Sequence, residues 1–347
     1  MTDAWPLVAA LRDPASTQAL DAHGWNALIA MARAERLVGT LAHRLADIQV
    51  PDAVRPILAD ARLDTDREAA QALWEADRAA QALGPLGIPV ILLKGTAYAA
   101  AGLRAGEGRF IGDLDILVPR DRLDAVEAAL FAAGWEWVKP DPYDDAYYRQ
   151  WMHELPPMIH ATRDRMIDVH HTILPLTARQ TPDAAAMSAE AVPIGNGLSI
   201  LSPEDRLCHA AAHLFADGDL AGGLRNLWDI HCLLVDGMEH DPDFGLSVME
   251  RAAHHQLAKA VWRALRLAYR LYATPVKACR APALFDYRPQ RGDWLFAARM
   301  LARDGWGRET RKALRFAFFV RSHWLRMPPA MLARHLWTKW RKGHRPA

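Results

Sequence analysis

No Asp or Glu follows Glu309, and this absence is the largest charge asymmetry in the chain. From Arg311 to Ala347 the sequence carries ten Lys or Arg, although the net charge of the whole is only +1. The balanced total implies no acidic partner for the chain as a whole, so the basic end is a local feature. Cysteine is scarce as well. Cys208, Cys232 and Cys279 lie far apart without metal-type spacing, which excludes a disulfide framework and points to a reducing compartment. No apolar run is long enough to span a bilayer. The first residues lack the basic-then-apolar pattern of a signal peptide. The expected location is cytoplasmic, with peripheral contact at a membrane surface left open by the basic end. Internal repeats and low-complexity segments are also missing. What is present is a globular composition, 51% hydrophobic and 24% charged, over 347 residues, enough for two ordinary domains.

The most informative stretch is Ile111-Gly112-Asp113-Leu114-Asp115-Ile116-Leu117-Val118. It reads as a short strand in which Asp113, Asp115 and Leu117 share one face and Leu114, Ile116 and Val118 the other. Two carboxylates in an apolar strand are costly to bury without a cation, and a hard divalent metal is the simplest compensation. An exposed edge strand with two solvated acids is the competing reading.

Residues 1–83 read as helical, with a long helix over roughly 56–83 that stops at Gly84-Pro85. Ile88 to Leu93 reads as a buried strand that runs into Lys94-Gly95-Thr96 and then a helix over roughly 96–103. A strand, a glycine turn and a helix start can hold phosphate, with Lys94 adding charge; the same pattern also serves an ordinary tight turn. A helix from near Asp121 stops at Gly134, and Trp135–Val138 is a further strand. Residues 139–153 read as a loop. Pro156–His160 and Met166–His170 form an expected hairpin around Thr162–Arg165, with Asp168 an acid inside an apolar strand, either salt-bridged or functional. Helices follow around 203–216, 223–236, 246–272 and 293–303, the first capped by Ser202 ahead of Pro203. His209 and His213, one turn apart, are compatible with zinc or with a packed pair. In the basic end, Phe316, Phe318, Phe319, Trp324, Trp337 and Trp340 are interleaved with the cations. That pattern suits single-stranded nucleic acid, an anionic membrane surface, or a helix that packs its aromatics and solvates its charges.

The Lys-Gly turn, the paired Asp and a lone Asp on a later strand occur in the order that nucleotidyl transfer with two metal ions would use. Taken with Arg109, Ile167-Asp168-Val169-His170, Leu201 to Asp205 with His209 and His213, and Trp228-Asp229-Ile230, the chain resembles the DNA polymerase beta-like nucleotidyltransferase superfamily. Within it the chain is most similar to a group of uncharacterised bacterial nucleotidyltransferases, over about residues 85–236. The resemblance implies an α+β fold: a small mixed-sheet core over 85–200, flanked by N-terminal helices (1–84), a C-terminal helical domain (201–310) and a basic aromatic helical tail (311–347). It implies Asp113, Asp115 and Asp168 as catalytic ligands of two magnesium ions. It also implies that Lys94, Gly95 and Thr96 meet the triphosphate of a nucleotide, ATP being the first choice, with Arg109 assisting. His170, two residues after Asp168, shares its face and suits a supporting role. The usual turn of the superfamily has Gly followed by Gly or Ser, whereas here Thr96 follows Gly95. The acceptor is left open among a small molecule, peptide, protein or RNA. An inactive nucleotide- or RNA-binding module and a peripheral membrane or scaffold protein are the alternative readings.

Overall fold

The computed structural model describes residues 3–275, 290–333 and 337, with the side chains of residues 216 and 217 excepted. Cys279, Trp340 and most of the tail beyond 333 lie outside the described residues. The fold is α+β, as expected: helices surround one mixed sheet. Its strands are β1 (Val90–Leu92), β2 (Asp113–Leu117), β3 (Trp135–Trp137), β4 (Met158–His160), β5 (Met166–His170), β6 (Val192–Gly195) and β7 (Leu198–Ile200). They lie in the order β3-β4-β5-β2-β1-β7-β6. The acidic strand β2 is therefore central, antiparallel to β1 and parallel to β5. Its interior place follows from Leu114, Ile116, Leu117 and Val118, all buried, and the same burial rules out the solvated edge strand.

The N-terminal segment forms helices Trp5–Arg12, Ala22–Ala34, Val38–Arg44 and Arg55–Leu83. Asp21 caps the second by accepting from the Gly24 amide at 2.7 Å. The long helix carries Glu75, buried, onto which the β4–β5 turn docks: Arg163 donates to both carboxylate oxygens at 2.9 and 3.1 Å through Nε. One apolar core joins these helices, the sheet and the C-terminal helices, from Ala4 to Phe318.

A close approach fixes the loop between the first helix of the sheet and β2. Gly108 has φ +61°, and a Cβ there would lie 2.4 Å from the Gly39 carbonyl carbon. A Cβ at Gly39 would meet the Gly108 oxygen at 2.6 Å. Thr40 Oγ1 donates to the Glu107 and Gly108 carbonyls, both at 3.3 Å. The N-terminal helices thus hold residues 107–108 in place, immediately before Arg109.

Several boundaries differ from the sequence reading. Residues 139–153 are not a loop: Pro142–Trp151 is a helix, because Asp141 accepts from the Tyr143 amide at 2.8 Å and Pro142 suits the first helical position. The span 246–272 is two helices, Phe244–His254 and Ala258–Tyr272, interrupted where Gln256 adopts φ +61°. The helix after β1 starts at Lys94 and ends at Ala100. Helix Pro203–Ala212 is capped as expected, with Ser202 Oγ accepting from the Asp205 amide at 3.2 Å, and runs into a π turn at His213.

Candidate functional site

The parallel pairing of β2 with β5 sets Asp115 directly beside Asp168. Residues opposite each other in a ladder share a face, so both carboxylates project to the same side. Asp113 lies two positions before Asp115 and stays exposed at the strand end. One carboxylate oxygen from each of the three falls within 4.8 Å of the others.

Asp115 is 3% exposed and does not lack for partners. Lys94 Nζ donates to its Oδ1 at 2.5 Å, and His170 Nε2 lies 2.9 Å from the same oxygen. A carboxylate only accepts, so Nε2 carries the proton. Burial alone would raise the Asp115 pKa; the Lys94 charge and the His170 hydrogen bond outweigh it and hold the group below the usual carboxylate range. Lys94 responds in kind: burial lowers its pKa, and the Asp115 charge more than reverses that. Its backbone, at φ +47°, is in the left-handed region that non-glycine residues rarely adopt, a strained conformation at the junction of β1 and the helix.

Asp168 is the opposite case. Burial, reinforced by the negative charges of Asp115 and Glu154, pushes its pKa up to about 7. Its Oδ1 is buried without a hydrogen-bond partner. A buried, unpartnered carboxylate oxygen facing two more carboxylates is a donor set that a hard divalent cation would satisfy.

Arg109 approaches from the loop that the N-terminal helices hold. Its guanidinium pairs with Asp229 and lies over the Tyr98 ring, 5.4 Å from the centroid. Gly95 leaves room for it: a Cβ there would lie 2.5 Å from Arg109 Nε. Asp229 also faces Arg225 at 3.7 Å, so one buried carboxylate serves two guanidiniums. A cleft of about 480 Å³ opens between the sheet and helix Gly223–His240, and Lys94, Arg109, Arg225, Asp113 and Asp115 all line it. Thr96 is placed differently: its side chain is buried and its hydroxyl has no hydrogen-bond partner, so it does not face this cleft.

The histidines resolve into separate roles. His170 touches Asp115, while His171 points away and lies 3.2 Å from the Met152 carbonyl. Neither is near solvent at the strand end, since both are buried. His209 is buried, and burial holds its pKa well below the usual histidine range. His213 lines the cleft. Sequence reasoning missed Arg225, His153 and Glu154. His153 and Glu154 fell in or beside the stretch read as a loop, and Arg225 had no signal beyond an arginine four residues before Asp229.

A family model described as "Uncharacterised nucleotidyltransferase" matches residues 21–273, from the second helix through the end of helix Ala258–Tyr272. A search of curated proteins gave no match. The match takes in both acidic strands, the Lys94 turn, Arg109 and Asp229, and it covers well over half of the chain; the chain belongs to this uncharacterised family of nucleotidyltransferases.

Proposed function

We propose that the chain moves a nucleoside monophosphate group from a nucleoside triphosphate, ATP in the first instance, to a hydroxyl acceptor, with two magnesium ions held by Asp113, Asp115 and Asp168. The observation that carries this reading is the ladder pairing of Asp115 with Asp168, with Asp113 close enough for all three to offer oxygens to one place. When bound, the ions would supply charge neutralisation of the phosphates and a lowered pKa for the attacking hydroxyl. The chain's own residues do the rest. Asp168, with a pKa near neutrality in the metal-free protein, is suited to face the acceptor hydroxyl. His170 orients Asp115 through the 2.9 Å contact. Lys94, Arg109 and Arg225 give the cleft the positive charge that a triphosphate needs. Gly95 and Thr96 contribute backbone amides at the helix start, the Thr96 hydroxyl being turned inward.

The experiment is incubation of the full chain with each α-labelled triphosphate, magnesium and a cell lysate, followed by isolation of the labelled product. Wild type is expected to transfer label, and Asp113→Asn to lose both nucleotide binding and transfer. Absence of label with every triphosphate, together with unaltered nucleotide binding in Asp113→Asn, would return the site to a binding module.

Gly95 gives a more local test. Gly95→Ala should push Arg109 away from Asp229, because the new Cβ would lie 2.5 Å from Nε and the arginine side chain must shift to admit it. Loss of one charge-assisted contact is worth about 1.5 to 3 kcal/mol, so nucleotide affinity should fall at least about tenfold. Titration with a non-hydrolysable triphosphate measures this; an unchanged dissociation constant would mean that Arg109 has no part in nucleotide binding.

A further inference from the structure

Beside the carboxylate trio lies a second group of potential ligands with different donor chemistry. His153 and Glu154 follow helix Pro142–Trp151, and His170 ends β5. Glu154 pairs with His170 across an isolated antiparallel bridge, which brings the two segments together. Glu154 Oε2 lies 3.4 Å from His170 Nδ1 and 3.6 Å from His153 Nε2. Both separations are longer than a good nitrogen–oxygen hydrogen bond. They match the ligand-to-ligand edge of a tetrahedral zinc site, about 3.4 Å for bonds of about 2.1 Å. The two imidazoles are stacked, with centroids 5.2 Å apart. His153 Nδ1 is buried without a hydrogen-bond partner.

We propose that His153, Glu154 and His170 form a second metal site, selective for a borderline transition cation of the zinc class and linked to the carboxylate trio through His170. The two sites differ in what they can hold. Three carboxylates suit magnesium or manganese, whereas two imidazoles and one carboxylate favour zinc, cobalt or nickel. Three protein ligands leave a coordination position open. The link is His170 itself. With Nδ1 on the metal, Nε2 must carry the proton, and that nitrogen is the one 2.9 Å from Asp115 Oδ1. A carboxylate hydrogen-bonded to a metal-bound imidazole is a recurring arrangement that fixes both the tautomer and the ring. Occupancy of this second site would therefore fix how Asp115 is presented to the cleft. The inference goes beyond nucleotidyl transfer and stands if the chain proves to bind nucleotide without turnover.

The test uses the full chain without an affinity tag, stripped of metal and titrated with cobalt(II) in excess magnesium. Wild type is expected to bind one cobalt with intense visible absorption of a low-coordinate nitrogen–oxygen site, displaced by zinc and not by magnesium. Glu154→Gln and His153→Ala are expected to abolish the absorption, and Asp113→Asn to retain it. In wild type, zinc should shift the imidazole nitrogen resonances of His153 and His170 together, a reading that needs no variant to fold. Absence of visible absorption in wild type, its loss in Asp113→Asn, its persistence in Glu154→Gln, or unmoved His153 and His170 resonances would each overturn the second site and leave a hydrogen-bonded cluster.

Discussion

Asp168→Asn is expected to lose nearly all turnover and to stabilise the metal-free chain above neutral pH. The two effects share one cause. The Asp168 side chain is half-buried with its Oδ1 fully covered, and burial with the charges of Asp115 and Glu154 pushes its pKa up to about 7. Its unfolded value is 3.8, so the folded state binds the proton more tightly. For a raised carboxylate the folded protein is relatively favoured while the group is protonated. Stability is then lost as pH rises from about 4 to about 7. Asn removes the charge and flattens that loss. Wild type and variant should match below pH 4, and the variant should be more stable by up to about 4 kcal/mol above pH 7. Turnover should fall by at least about 1,000-fold, because an amide cannot hold a metal or face an acceptor hydroxyl as a carboxylate does. Nucleotide affinity should change little, since Asp113, Lys94 and Arg109 remain in the cleft. Urea unfolding across pH with a chelator present, paired with label transfer, decides it. Wild-type turnover in the variant would make Asp168 a structural acid. Unchanged stability would mean that its proton affinity is ordinary.

The second large effect is expected at Asp229, whose carboxylate pairs with Arg109 and Arg225. It is buried between Arg109 and Arg225, and burial already depresses the Arg225 pKa to about 10. Asp229→Ala leaves the buried Arg225 and the half-buried Arg109 guanidiniums without their shared counter-charge. Breaking such a pair from one side costs about 3 to 5 kcal/mol. The same change frees Arg109 from its place over Tyr98, so nucleotide affinity should fall with it. Asp229→Asn keeps the shape and one acceptor, and should lie between wild type and Ala in both measurements. Urea midpoints and nucleotide titration of the three proteins test the order. A destabilisation under about 1 kcal/mol in Asp229→Ala would show that solvent from the cleft reaches both guanidiniums.

The sheet interior was readable because its signals are local. Ile88 to Leu93 and Ile111 to Val118 are short apolar runs bounded by turn residues, and β1 and β2 fall inside them. The long helix was placed within a residue, since Pro56 and Gly84-Pro85 mark its ends. The β6–β7 hairpin has a local mark as well, the turn Asn196-Gly197 with φ +53° and +76°. Helix Pro142–Trp151 was lost among aspartates and tyrosines because its stability rests on an Asp141 cap and on Arg149 reaching Glu127, a contact between residues far apart in sequence. Of the candidate site, the carboxylates were legible as residues but their juxtaposition was not. It depends on the register of β2 against β5, which is set by packing over the whole sheet. Asp229 was visible only through family likeness, and its service to Arg109 is a contact across 120 residues. In the basic end, helix Lys312–Arg326 buries Phe318 and leaves Phe316, Phe319 and Trp324 exposed, a division that the interleaved pattern alone did not assign.

The contact of Gly39 with Gly108 bears on how this fold can be divided. A segment over 85–273 would keep every carboxylate, Lys94 and Asp229. It would lack the Gly39 backbone, which leaves no room for a side chain at Gly108, and Thr40, whose Oγ1 holds the Glu107 and Gly108 carbonyls at 3.3 Å. Arg109 would then hang from an unsupported tether, with the entropy of that tether set against each encounter with its anion. The helices ahead of the sheet are thus the fixed jaw of the cleft, and a minimal working unit must be cut upstream of Gly39 to retain its grip.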